Sequence, residues 1–344
     1  MDSLFIIAGI TVIALVVFDY TNGFHDASNV LATVIASRAM TPAQTVLLVG
    51  FFEFLGPLLG GTAVADTIGH FVDISDLQQI SALIIILCGV IAAVVWNIIT
   101  WRFGIPSSSS HALVGGLIGA ILVSTGSEHI VWGLTELGHG HITGVFKVLF
   151  ALLISPLIGF WVGFLIHRWT GMLLRGARPQ VNRNLRRSQF FTTAALAFAH
   201  GANDAQKSMG VITLVLLLGG FIPRFEVPFW VVLLCAGAIT LGIMSGGWRI
   251  VRTVGFGIYK IRPLHAVNTQ ITAGMVIFSA ALLGGPVSTT HVVSSSIMGI
   301  GASERPRAVR WIKARDIVST WIITIPGAAL IAAISYLLLG QWLQ

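Results

Sequence analysis

The chain has 344 residues, 55% of them hydrophobic and only 10% charged. Ordinary soluble domains carry about 25% charged residues, so this composition excludes a soluble enzyme or binding module and describes an all-α polytopic membrane protein. The net charge of +7 is not a nucleic-acid signal, because the basic residues sit in clusters beside apolar runs.

Apolar elements run roughly over 3–37, 43–65, 79–101, 106–125 and 146–167, and again over 189–219, 228–247, 269–285, 287–303 and 315–341. A span needs about 20 apolar residues. The first element follows Asp2 without a basic region, so it reads as a mature span and not as a cleaved signal peptide. Elements 3–37 and 189–219 are too long for simple spans, and each is expected to be a helix broken at a polar motif. Cys88 and Cys235 lie in apolar runs and read as buried small hydrophobes.

Between the halves, Arg168, Arg175, Arg178, Arg183, Arg186 and Arg187 form a basic linker, 168–188. Arg249, Arg252, Lys260 and Arg262 form a second cluster, and Arg305, Arg307, Arg310, Lys313 and Arg315 a third. Such clusters mark cytoplasmic loops. The acids Asp66, Asp73, Asp76, Glu128 and Glu136 fall in the opposite set of loops. Five elements per half make the second half insert upside down. The expected organisation is therefore a first repeat, 1–167, the basic cytoplasmic linker, 168–188, and an inverted second repeat, 189–344. Both termini then lie on the extracytoplasmic side of the plasma (inner) membrane.

Three landmarks recur in the same order. Asn22-Gly-Phe-His-Asp26-Ala-Ser-Asn29 aligns with His200-Gly-Ala-Asn-Asp204-Ala-Gln-Lys207, Pro106-Ser-Ser-Ser-Ser-His111 with Pro286-Val-Ser-Thr-Thr-His291, and Pro156 with Pro326. A carboxylate within a span is costly and marks function. Two in equivalent positions of two half-chains point to a transporter built from repeats. Asn22, Asp26, Asn29, Asn203 and Asp204 offer oxygen ligands to a hard cation, and the carboxylates can also carry a proton. Gly23 and Gly201 are expected to supply an unusual backbone at the breaks. The plainer alternative is a polar contact between packed helices.

Ser107, Ser108, Ser109 and Ser110, and Ser288, Thr289 and Thr290, each follow a proline that suits a helix start. Hydroxyls and free N–H groups at a helix N-terminus suit an anion, although capping alone needs only one of them. A re-entrant hairpin would carry each run to the membrane centre. His111 and His291 each orient a hydroxyl, relay a proton or close a buried hydrogen bond; His25 and His200 have the same options. His129, His139 and His141 read as solvated outer-loop residues with weak metal affinity. Lys207 stands where the first half has Asn29. It binds the anion, replaces a cation, or pairs with Asp204 or Asp26.

"NGFHDASN", "GANDAQKSMG", "PSSSSHAL" and "GPVSTTHVVSSS" resemble the signatures of the inorganic phosphate transporter (Pit) family, in order and over nearly the whole chain. The resemblance implies a secondary transporter of two inverted repeats that imports phosphate by cation symport through alternating access. It also implies a substrate site of Asn22, Asn203, Lys207 and the two Ser/Thr runs, with Asp26, Asn29 and Asp204 at the coupling ion. Sodium-coupled members tend to have an Asn-Asp-x-x-Asn-like motif in both halves. Here the second copy reads Asn203-Asp204-Ala-Gln206-Lys207, which is similar to the low-affinity, proton-coupled bacterial branch. Lys207 would then supply a fixed charge in place of sodium. In that branch a divalent metal can enter with phosphate as co-substrate, and a homodimer is expected. Sodium coupling and sulfate transport are the alternatives within the family. No resident cofactor is expected.

Two other classes fit less well. A Ser–His–Asp hydrolase would need one constellation and not a duplicated one. Ser110 and His111 are also adjacent on a helix and so face apart. Paired buried carboxylates argue for coupled transport over an anion channel.

Overall fold

The computed structural model describes residues 2–70, 72–74, 76–133, 136 and 142–343, so His139 and His141 lie outside the described residues. Among these residues the chain is helical, with one isolated bridge between Val72 and Ile130. The helices are α1 (Asp2–Ser37), α2 (Pro42–Leu59), α3 (Ala63–Gly69), α4 (Gln79–Phe103), α5 (Ser109–Ser124), α6 (Gly144–Leu173), α7 (Val181–Leu218), α8 (Phe229–Ser245), α9 (Trp248–Gly257), α10 (Pro263–Leu282), α11 (Thr289–Glu304) and α12 (Trp311–Leu343).

Five of these, α1, α2, α4, α6 and α12, are long and apolar enough to cross a membrane. α8 and α9, bent by 68° at their junction, make a sixth candidate if taken as one span. Packing pairs the two halves. α1 lies on α8 while α7 lies on α2; α5 lies on α12 while α11 lies on α6. Pro156 and Pro326 sit inside α6 and α12, the helices on which α11 and α5 pack.

The expectation of broken helices is corrected. α1 runs unbroken for 36 residues and α7 for 38, straight through both polar motifs. Gly23 and Gly201 serve helix packing instead. A Cβ on Gly23 would lie 2.2 Å from the Ile239 carbonyl oxygen of α8, and one on Gly201 would lie 2.3 Å from the Glu53 carbonyl oxygen of α2. The missing side chains let the backbones touch. The basic segment 168–188 is helical at both ends. α6 continues to Leu173, and α7 begins at Val181, directly after Pro179-Gln180. Arg183, Arg186 and Arg187 therefore ride on a helix, exposed. The segment read as a loop at 249–262 contains α9.

Both hairpins close in the same way. Gly104, at φ +66°, donates its N–H to the Trp101 carbonyl, and Ile105 donates to Thr100. Gly284, also at φ +66°, donates to Ala281, and Gly285 donates to Ala280. Only glycine adopts this left-handed cap without strain. Each turn sends the chain back along its own helix, so that α5 packs on α4 and α11 on α10.

The apolar core falls into two clusters. Leu15 and Phe18 of α1 belong to one, Ala27 and Val30 to the other. On α7 the change comes between Ala199 and Ala205. The two polar motifs occupy the layer between the clusters.

Candidate functional site

That layer brings together residues from four helices, and none of the predicted site residues is more than 3% exposed. Ser108 and Ser288 are N-caps, each accepting from the N–H of the histidine three residues on, His111 at 3.1 Å and His291 at 3.3 Å. This is the plain capping role. The remaining hydroxyls do something else.

Asp26 is ringed by donors. Its Oδ2 accepts from Ser109 at 3.2 Å and from Thr289 at 3.3 Å, and its Oδ1 accepts from Thr290 at 3.1 Å. His25 Nδ1 lies 2.8 Å from Oδ1, so the carboxylate keeps a proton on that nitrogen. The other ring nitrogen of His25 reaches Thr100 and Ser107, both at 3.1 Å. The N-termini of α5 and α11 thus converge on one carboxylate, where free N–H groups and the positive ends of both helix dipoles favour negative charge. Asn29 Nδ2 steadies the second hydroxyl run, donating to Thr289 at 3.1 Å and to Thr290 at 3.0 Å.

Asp204 has a different environment. Lys207 Nζ donates to Asp204 Oδ1 at 2.6 Å, to Ser110 Oγ at 2.6 Å and to the Val287 carbonyl at 2.9 Å. All three ammonium protons are used, and they tie α7 to both hairpin tips. Of the readings open for Lys207, the structure contains the ion pair with Asp204. Asp204 Oδ2 lies 3.2 Å from the Thr289 hydroxyl and 3.5 Å from His200 Nε2.

Four predicted residues stand with unmet groups, His111 and His291 at Nε2 and two asparagines. Neither amide atom of Asn22 has a hydrogen-bond partner. Asn203 donates to the Gly285 carbonyl at 3.2 Å, but its Oδ1 has none. Buried polar groups are rarely left so, and each needs an explanation; polar ligand atoms would supply one. Asp26, His200 and Asp204 offer one ligand atom each within 4.8 Å of one another, a set able to hold a cation.

His111 and His291 lie apart from the carboxylates. Their rings meet edge to face at 4.5 Å, and His291 stacks on Trp321 at 4.0 Å. His111 Nδ1 bonds the Trp321 carbonyl at 3.3 Å, so for this residue the structure displays the buried hydrogen bond. His129 is tied to the Asp73 carbonyl and the Asp76 carboxylate. Cys88 and Cys235 are buried and free.

Sequence reasoning missed two acids. Glu53 of α2, fully buried, holds His200 Nδ1 at 2.7 Å. Asp19 of α1, also fully buried, accepts from Ser208. The signal was present in both cases: a carboxylate inside an apolar run, Phe-Glu53-Phe and Phe-Asp19-Tyr.

A model described as "Phosphate transporter family" matches residues 22–332. A protein of Bacillus subtilis (strain 168), named "Probable low-affinity inorganic phosphate transporter", is 39% identical over 344 residues, with 99% of each chain covered. A protein of the same name from Rhizobium meliloti (strain 1021) is 41% identical over 333 residues, 96% of each chain. A solved structure described as "The sodium-dependent phosphate transporter" matches with a TM-score of 0.80 and 24% identity, over 97% of this chain and 99% of that one. At that identity the likeness speaks to the fold.

Proposed function

The chain belongs to the phosphate transporter family, and from that premise we propose that it imports inorganic phosphate by proton symport with alternating access. The observation that carries this reading is the Thr289 hydroxyl, 3.3 Å from Asp26 Oδ2 and 3.2 Å from Asp204 Oδ2. A hydroxyl has one proton and can donate to only one of the two carboxylates. With Asp204 already paired to Lys207, a second carboxylate so close by favours taking up a proton or a cation.

Protonation of Asp26 links the proton to the substrate. As a carboxylate, Asp26 takes the hydrogen bonds of Ser109, Thr289 and Thr290. Once protonated it competes for them less and gains a donor of its own. The hydroxyls and the N-termini of α5 and α11 are then free for phosphate oxygens. Proton and phosphate bind together, which is the condition for symport. Lys207 supplies a fixed charge beside Asp204, in place of a sodium ion. Glu53 and His200 form a second titratable pair in contact with Asp204. Hydrogen phosphate can donate to a carboxylate; sulfate at neutral pH cannot. This favours phosphate over sulfate. The Asp26, His200 and Asp204 set would take a divalent metal carried in with phosphate.

Repeats 1–167 and 189–344 lie in opposite orientation in this proposal. The reciprocal pairing of α1 with α8 and of α7 with α2 supports it. The basic segments face the cytoplasm and both termini lie outside the inner membrane.

Labelled phosphate uptake into proteoliposomes, with imposed proton or sodium gradients and unlabelled sulfate as competitor, tests the proposal. Uptake driven by protons, unaffected by sulfate and altered in its pH profile by Glu53→Gln is expected. Uptake driven by sodium alone would reject the coupling ion and the role of Lys207. Block by sulfate and not by excess phosphate would reject the substrate.

A further inference from the structure

A second cluster of ligating side chains lies at the other end of α11, away from the Ser/Thr runs. His167 of α6, His265 of α10 and Glu304, the last residue of α11, each place one ligand atom within 4.8 Å of the others. His167 and His265 are buried, 6% and 3% exposed. His265 Nε2 lies 3.0 Å from Glu304 Oε2, and the two imidazole centroids are 5.1 Å apart. We propose that these three residues form a binding site for a transition-metal ion of the zinc type, separate from the transport site.

The donor set selects the ion. Two imidazoles and one carboxylate suit zinc and its first-row neighbours, with water in the fourth position. Magnesium and calcium prefer oxygen ligands only. Zinc–ligand bonds of about 2.0–2.2 Å require the three groups to close by side-chain rotation, with the Tyr259 hydroxyl, which donates to Glu304 Oε2, kept as the carboxylate's outer hydrogen bond. Arg262, the one Lys or Arg paired to Glu304 among the described residues, stands 3.6 Å away with its side chain 57% exposed. An exposed contact of that kind is worth little, and the guanidinium can swing into solvent.

The surroundings also supply what a metal-bound imidazole needs on its second nitrogen, an acceptor for the remaining N–H. His265 Nδ1 now accepts from the Arg262 N–H at 3.1 Å, which leaves the proton on Nε2, facing Glu304. The Lys260 carbonyl lies 3.3 Å from the same Nδ1. Moving the ring proton from Nε2 to Nδ1 frees Nε2 for the ion and gives Lys260 the hydrogen bond, with no net change in charge. The N–H of Arg262, a residue at the protein surface, would turn to water. At His167 the second group is Asn268, itself 1% exposed. Its Nδ2 lies 3.0 Å from His167 Nδ1, and its Oδ1 has no partner. Turning the amide over presents that unpartnered oxygen to a protonated Nδ1.

An ion here would staple α6, α10 and α11 together. α11 carries the Thr289–Thr290 hydroxyls at its opposite end, so stapling its C-terminus should restrain the helix that holds the substrate.

The test is cobalt(II) titration of the purified full chain in detergent, without phosphate, followed by zinc displacement. One equivalent per chain giving a visible tetrahedral ligand-field band, bleached by zinc, is expected. His265→Gln and His167→Gln should each abolish the band, Asn268→Ala should weaken binding roughly 10- to 100-fold, and Asp26→Asn should leave it in place. Zinc should also raise the melting temperature of the unaltered protein, but not that of Glu304→Gln. No band, a band that survives both histidine substitutions, or a band lost in Asp26→Asn would overturn the proposal. The last result would place the ion in the transport site.

Discussion

Asp26 and Asp204 occupy matching places in a repeated motif, yet they are stabilised by opposite means. Asp26 is held by uncharged hydroxyls from two helix N-termini, with His25 behind it. Asp204 is held by an ammonium group three residues away on its own helix. A carboxylate held by neutral donors can take a proton and leave those donors intact. One paired to a buried lysine cannot lose its charge without stranding the cation. Under the proposed function, the contrast would give exchangeable binding to the first motif and fixed charge to the second.

The largest effect that would break this contrast is in stability. Lys207→Met and Asp204→Asn each leave an uncompensated buried charge, which costs about 3–5 kcal/mol. Both variants should melt far below the parent in detergent and transport nothing. Asp26→Asn keeps the shape and strands no buried charge, since the amide oxygen still accepts and the hydroxyl donors can rotate. It should stay folded while uptake falls roughly 100-fold. Equal melting temperatures for Asp26→Asn and Asp204→Asn would mean that the two sites are alike after all.

The glycines sharpen the comparison from the other direction, because there the motifs are equivalent. Gly23→Ala and Gly201→Ala each drive a methyl group into a facing carbonyl. Overpacking of this kind costs about 1–3 kcal/mol. Similar losses of thermal stability are expected for the two, and a loss confined to one would deny the shared packing. The smallest effect separates two neighbours. Thr289 contacts both carboxylates and Thr290 only Asp26. Thr289→Val should weaken phosphate half-saturation about tenfold, the scale of one charge-assisted hydrogen bond, and more than Thr290→Val does.

Part of this site was legible in advance. A residue type forbidden in lipid announces itself, and two copies in register announce a repeat. Asn22, Asp26, Asn29, Asn203, Asp204, Lys207 and both hydroxyl runs were found in this way, and they do lie in one buried layer. The same rule applied to Glu53 and Asp19 would have found them too. The breaks expected in α1 and α7 failed for a reason that sequence leaves ambiguous. Glycine beside polar residues in a span suits an unwound backbone and suits close helix contact equally well. Only the partner helix distinguishes the two.

Sequence alone places the chain in a bilayer, shows where its polar motifs recur and names the few polar residues that must be accounted for. Charge and hydropathy fix these locally, since a lipid solvent tolerates few exceptions. The tertiary structure decided which polar residue serves which. Asp26 meets Thr289 across 263 positions of sequence, Lys207 meets Ser110 across 97, and His200 meets Glu53 across 147. Helical periodicity fixes the face a side chain shares with its own neighbours. The group that arrives opposite that face depends on how distant helices pack, and the packing rests on contacts that no local stretch of sequence contains.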